Sequence, residues 1–323
     1  MTLEFETLAG GNVTPTVPAA PRRSASLSSG ADNIFKNIII GLSSVVLIAT
    51  VLYGFVLIVG GFPALQKDAI GFLFGLNWDP GQNIYQAFPF IAGTFFTALG
   101  ALVIAVPLSV AAALFISEYA PRWLAGPVGT MIELLAAIPS VVYGLWGIFV
   151  LIPAVRGFQV WFVAATGVPW PPSGTGLMSA VLILAVMVIP FICAIARDVI
   201  TLVPNDQREA AYALGATKWE VIRFGILPFA RAGILGGVIL GLGRALGETL
   251  AVTMVIGNAN RIARDPFDST ATMSSIIASN FGEANDEMRP ALIAIGFMLL
   301  VFSVIVNVIA RVVITKLTPV GTR

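Results

Sequence analysis

Two ionisable side chains, Arg244 and Glu248, interrupt an otherwise uncharged run from residue 232 to residue 260. A guanidinium is planar and always charged, and its paired N–H donors form a fork that suits phosphate or sulfate oxygens. A spacing of four puts the carboxylate on the same helical face, within pairing reach. Two readings are open. In one, the pair is a salt bridge that locks its helix, although Arg ahead of Glu is the weaker helical order. In the other, Arg244 lines a route for an oxyanion and Glu248 holds the fork in place while the site is empty. The carboxylate would then disfavour a fully ionised anion unless one party carries a proton, which favours phosphate over sulfate. A charge at mid-depth in a bilayer costs about 2.5–3.5 kcal/mol even on the lenient insertion scale, so such residues are functional candidates by default. Glu133 is a third charge inside a long apolar interval. It either pairs with another chain or sits near the membrane rim, and it is assigned no role.

The elements that must hold these residues are membrane spans. Of 323 residues only 11% are charged, against about 25% in soluble domains. Six intervals (37–66, 80–117, 123–155, 157–196, 232–260 and 290–310) contain no charge besides Glu133, Arg244 and Glu248. A spanning helix needs about 20 apolar residues, so the chain reads as an all-α polytopic membrane protein with spans over 37–61, 88–117, 127–153, 177–197, 229–257 and 290–314. A water-soluble enzyme is excluded. Pro107, Pro139, Pro153 and Pro190 fall inside these spans and are expected to bend them. Residues 1–33, rich in Gly, Pro, Ser and Thr, read as a disordered tail. The permease-like body runs over 34–316, and 317–323 form a second tail. The first apolar run starts near Ile38 and is expected to stay uncleaved. An even number of spans puts both termini on one side. With those termini in the cytoplasm, twelve Lys and Arg lie inside, five lie outside and Arg244 lies within the membrane, which accounts for all 18 and satisfies the positive-inside rule.

That orientation leaves 198–228 as the one substantial cytoplasmic loop, with 62–87, 154–176 and 258–289 facing outward. Pro169, Pro171 and Pro172 forbid regular structure in the second of these. Within the cytoplasmic loop, residues 206–215 read as a short helix with Asp206 as a possible N-cap and Gly215 as terminator. A second helical stretch runs from Lys218 to about Phe224, and Pro228 opens the next span. Histidine is absent and Cys193 is the sole cysteine, which excludes imidazole catalysis, His-ligated metal and an intrachain disulfide. No Walker A loop is present, because the four lysines follow Phe35, Gln66, Thr217 and Thr315 rather than Gly. Any ATP, with its Mg, must therefore be bound by another polypeptide, and this chain needs no cofactor of its own. The net charge of +1 predicts no attraction to nucleic acid.

Glu209-Ala210-Ala211, then Gly215, then Leu227-Pro228 resembles the EAA loop of ABC importer permeases; Gly225 stands where that motif usually has Ile, with Ile226 beside it. Gly93 to Pro121, Ala137 to Gly147 and Gly243 to Asn258 are similar to the PstC-type permeases of phosphate-specific ABC importers, over roughly residues 35–315. The resemblance implies a type I importer fold in a bacterial inner membrane and a chain that is not itself an enzyme. It implies four kinds of partner: a PstA-type second permease, an ATP-binding cassette ATPase dimer, an extracytoplasmic phosphate-binding protein and membrane lipid. Arg244 and Glu248 would stand on the path of inorganic phosphate, and Glu209, Ala210, Ala211, Gly215 and Pro228 in the ATPase coupling element. The alternative is a gradient-driven secondary transporter or channel for an oxyanion that uses the same Arg244, which has no need of the EAA spacing. An intramembrane enzyme ranks third, since every Asp lies in a loop or at a span edge.

Overall fold

The computed structural model describes residues 29–168 and 170–317. Most of the expected 1–33 tail, with Arg22 and Arg23, lies outside them, as do 318–323. The chain divides into units 1–53 and 54–323. In the first, α1 (Ser29–Lys67) begins; its residues 33–53 are exposed along their whole length. A helix that is apolar all round and unburied is what a lipid-facing span requires.

The second unit takes up α1 at Gly54 and continues through α2 (Ala69–Phe74) and a two-residue antiparallel pair, β1 (Trp78–Asp79) with β2 (Ile84–Tyr85). Next come α3 (Phe88–Leu114), prolonged by a π-helical turn Phe115–Tyr119, and α4 (Arg122–Ala136). The chain then forms α5 (Ser140–Trp146), a second π turn, α6 (Ile152–Thr166) and α7 (Leu177–Thr201). Two short helices, α8 (Asn205–Ala213) and α9 (Lys218–Glu220), precede a third π turn and α10 (Leu227–Gly247). The last elements are α11 (Leu250–Val255), α12 (Met273–Asn280) and α13 (Met288–Leu317). Among the described residues, six helical stretches are long and apolar enough to cross a membrane.

Four of the expected spans coincide with these stretches, and two are corrected. The third crosses over Ser140–Thr166 rather than 127–153. Pro139 does not bend a span; it stands at the N-cap of α5, because a proline pushes the residue before it out of the helical region. The preceding α4 is a separate amphipathic helix that keeps Arg122 and Glu133 at its ends of the polar face. It follows that 154–166 are helical, and the expected outward loop 154–176 shrinks to about the ten residues after Thr166. The fifth crossing runs Lys218–Gly247 rather than 229–257, so the loop 198–228 is largely helical.

α7 is the axis of the fold. Ala98, Ala101 and Ala105 of α3 are fully buried against Ile183, Leu184, Met187 and Val188 of α7, and small residues on one helix are what permit so close an approach in a membrane. Ser109 adds a hydroxyl bond across the pair, donating to the Ile189 carbonyl at 3.0 Å. A second cluster, around Phe72, Trp78, Phe90, Met273 and Leu292, closes one end, and a third, around Ile116, Ile200, Ile222 and Ile226, closes the other.

Asp268 organises the loop between α11 and α12. It accepts from Arg261 Nη2 at 2.6 Å and from the Arg264 N–H at 3.2 Å, while its own carbonyl accepts the Leu177 N–H at 3.0 Å. Burial pushes the carboxyl pKa up, but the bonds from the Arg264 backbone and the Arg261 guanidinium outweigh it and hold the carboxyl below its usual range. Stability from a depressed carboxylate is complete above the unfolded value of about pH 4 and is lost as pH falls through the folded value. Hydrogen-exchange protection factors over 257–268, corrected for the intrinsic pH dependence of exchange, should therefore be flat from neutral pH down to about pH 4 and fall below it. Asp268→Asn should raise exchange at neutral pH and flatten the acid response, at a cost of about 1 kcal/mol.

Candidate functional site

The fifth crossing is built from glycine and ends at glycine. Gly233, Gly237 and Gly241 fall on one face of α10, and that face lies on α7: an added Cβ would come within 2.6 Å of Val199, 2.9 Å of Ile195 and 2.8 Å of Ile192 respectively. The stripe thus packs within the chain, against α7. The Gly243 and Gly247 pair packs differently, since Gly243 has only Asn307 Oδ1 nearby, at 3.9 Å, and Gly247 has nothing within 4 Å.

α10 stops at Gly247, and Glu248 is extended, with φ −72° and ψ 129°. This corrects the expectation that Arg244 and Glu248 share a helical face as a pair: no ion pair joins them among the described residues. Local hydrogen bonds explain the break. The Glu248 carboxylate accepts the Ala251 N–H at 3.1 Å and so caps α11. The Glu248 carbonyl accepts from Ser274 Oγ at 2.8 Å, and the Thr249 carbonyl from Thr253 Oγ1 at 2.6 Å. Ser274 belongs to a buried hydroxyl group with Thr272, Ser275 and Thr94, whose Oγ1 receives the Met273 N–H at 2.9 Å. Glu248 is thus engaged by α11 and α12 and does not hold the Arg244 fork.

Arg244 is left with a cation and no carboxylate. Its Cζ lies 5.7 Å from the centre of the Phe191 ring on α7, a cation–π contact that shields one face of the fork. Its Nε is buried without a hydrogen-bond partner, and the residue as a whole is half-buried. Among the described residues no carboxylate pairs with this planar donor group, which leaves its forked N–H donors open to an acceptor. Sequence reasoning missed Phe191 and Ser274, because contacts across more than twenty residues leave no local spacing to read.

Glu133 is placed by α4. It is 55% exposed in its side chain and pairs with Arg197 of α7 at 2.6 Å, so it belongs to a surface helix and is not a charge within a span.

The EAA residues form a helix–turn–helix. α8 starts after Pro204, whose side chain cannot cap; Asp206 lies inside the first turn and is not the N-cap. Gly215 turns the chain with φ +80°, a left-handed conformation that glycine adopts without a Cβ clash. Thr217 and Glu220 then make a capping box, and Pro228 sits in the first turn of α10. Glu209 and Ala210 face solvent while Ala211 packs on the third apolar cluster. At the tip, Leu214 is 89% exposed, and Tyr212, Trp219 and Phe224 are also exposed. The motif's departure at Gly225 is absorbed by the π turn Val221–Ile226: Ile226 is buried in the third cluster, and Gly225 passes close to the Gln207 carbonyl of α8.

Residues 105–319 match the family model of the binding-protein-dependent transport system inner membrane component. The chain is 45% identical to a phosphate transport system permease protein PstC of Xylella fastidiosa over 89% of its length and 92% of that protein. It is 42% identical to the PstC of Haemophilus influenzae, with 84% and 89% covered. Among solved structures, a bacterial alginate ABC transporter in complex with its alginate-pentasaccharide-bound periplasmic protein superposes with a TM-score of 0.62 at 17% identity, covering 92% of this chain and 99% of that one. That likeness is one of fold. The chain belongs to the binding-protein-dependent transport system inner membrane component family, among its PstC-type permeases.

Proposed function

We propose that the chain is the permease subunit of an ATP-driven importer of inorganic phosphate and that Arg244 receives the anion on its path. The observation that carries this is the guanidinium on Phe191, inside a crossing helix and with no carboxylate paired to it among the described residues. A buried cation without a counter-ion is costly, and a passing oxyanion with two acceptor oxygens offsets that cost only while it is present. The path is completed by a PstA-type second permease, since a hydrated anion fits more readily between two subunits than inside one bundle. Both termini and α8 lie on the cytoplasmic side, where an ATPase dimer grips the helix around Glu209, Ala210, Ala211 and Gly215 and the exposed Leu214. The phosphate-binding protein delivers from the opposite face.

Purified complex in proteoliposomes tests the class directly. Uptake of labelled phosphate should need ATP with the binding protein and persist after ion gradients are collapsed; uptake that follows the gradient without ATP would favour a secondary transporter. Glu248 contributes at the rim of the same path, where its carboxylate repels a fully ionised anion. Glu248→Gln keeps the acceptor for the Ala251 N–H, so the fold is retained. The phosphate-over-sulfate ratio should fall by about fivefold or more, as expected when one like-charge contact of about 1 kcal/mol is removed. An unchanged ratio would remove Glu248 from selectivity.

A further inference from the structure

One side chain of α8 ties the EAA helix to the ends of two crossing helices. Arg208 Nη1 meets Glu118 Oε1 at 2.5 Å in the π turn that prolongs α3, and Nη2 donates to the Ile200 carbonyl near the end of α7 at 3.0 Å. The second arm of the loop reaches the same place. Lys218 Nζ donates to the Glu118 carbonyl and lies 4.4 Å from the centre of the Tyr119 ring. The Glu118 side chain is 10% exposed and that of Arg208 21%, so the pair is largely withdrawn from water and its two charges are poorly screened. The contact is separate from the exposed Glu209, Ala210 and Leu214 of the same loop, and Arg244 lies on another helix.

We propose that Arg208 and Glu118 are positioning residues that transmit displacement of α8 to α3 and α7. This rests on the reading of α8 as the ATPase-docking helix. The route onward is short. α3 and α7 share the most extensive helix–helix contact among the described residues, and α7 carries both Phe191 under Arg244 and the face that receives the glycine stripe of α10. A partly buried ion pair is a stiff link, because separating its charges leaves each uncompensated, whereas apolar contacts around Ile116, Ile200 and Ile222 can slide. The π turn places Glu118 on the side of α8 and is itself a deviation often found where a helix has work to do.

The experiment uses the complete importer, reconstituted with its second permease, ATPase and binding protein, with phosphate uptake and ATP hydrolysis measured in parallel. Glu118→Gln and Arg208→Gln should leave the ATPase bound and hydrolysing while phosphate delivered per ATP falls by about fivefold or more, the scale of an ordinary coupling energy. Arg208→Lys should recover part of the ratio, and the exchanged pair E118R/R208E more than either single reversal. Variants that keep the wild-type ratio would overturn the proposal. So would loss of the ATPase from the Glu118→Gln complex, because the pair would then serve docking alone. If wild-type complex imports no phosphate with ATP, the functional reading itself falls, a result separable from either of these.

Discussion

Replacing Arg244 with Gln should reduce phosphate uptake by a hundredfold or more, about 3 kcal/mol, the scale seen when one partner of a desolvated, hydrogen-bonded charge contact is truncated. Complex assembly should be unaffected, because among the described residues Arg244 makes no ion pair or hydrogen bond that folding would miss. Arg244→Lys should recover only part of the loss, since an ammonium is a point charge and cannot offer the forked N–H pair. The check is initial uptake rate at saturating ATP together with co-purification of the ATPase. Normal uptake by Arg244→Gln would place the anion's path elsewhere. The variant is also expected to be slightly easier to fold than wild type, because an unpaired cation is removed from a half-buried place.

The second large effect is steric. Gly241 faces Ile192 and Val188 across the α10–α7 contact, and an added Cβ would stand 2.8 Å from two Ile192 carbons and 3.1 Å from Val188. Gly241→Ala should cost about 1–3 kcal/mol through overpacking. Gly241→Val adds two more carbons on a stiff χ1 and should prevent the two helices from closing, leaving little folded protein in the membrane. Gly236 lies five residues away on another face of the same helix with nothing within 4 Å, so Gly236→Ala should be neutral in the isolated chain or slightly stabilising, as helix propensity dictates. Thermal melts of detergent-purified protein separate these cases. Equal losses at 236 and 241 would mean that the close approach to α7 does not set the cost at 241, since helix propensity alone favours alanine at both.

The first, second, fourth and sixth crossings were legible because each is a long run bounded by charge on both sides. The third was misplaced by the same logic. Glu133 sits mid-run, and without its partner Arg197 in view an isolated carboxylate does not announce that α4 is a surface helix. Pro139 was visible, but a proline can either bend a helix or start one, and only the helix that follows decides which. Arg244 was identifiable from its apolar surroundings. Its lack of a counter-ion was not, because spacing of four implies a continuous helix, and the break at Gly247 is stabilised by Ala251, Thr253 and Ser274 rather than by any residue that looks like a terminator. The short helix expected over 206–215 forms over Asn205–Ala213, with Gly215 in the left-handed turn after it. The Glu118–Arg208 contact spans ninety residues, a distance over which sequence alone carries no pairing signal.

The interruption between α10 and α11 also puts an elbow at the end of the fifth crossing. α10 lies on α7, α3 and α13, whereas α11 lies mostly on α5 and also touches α7 and α12. Arg244 and Glu248, adjacent in sequence terms, are therefore carried by different sets of neighbours. On the proposed path, rocking of α5 and α12 past α3 and α13 would alter the gap between cation and carboxylate by bending the chain at 248 and 249, where the helical hydrogen-bond ladder is already broken.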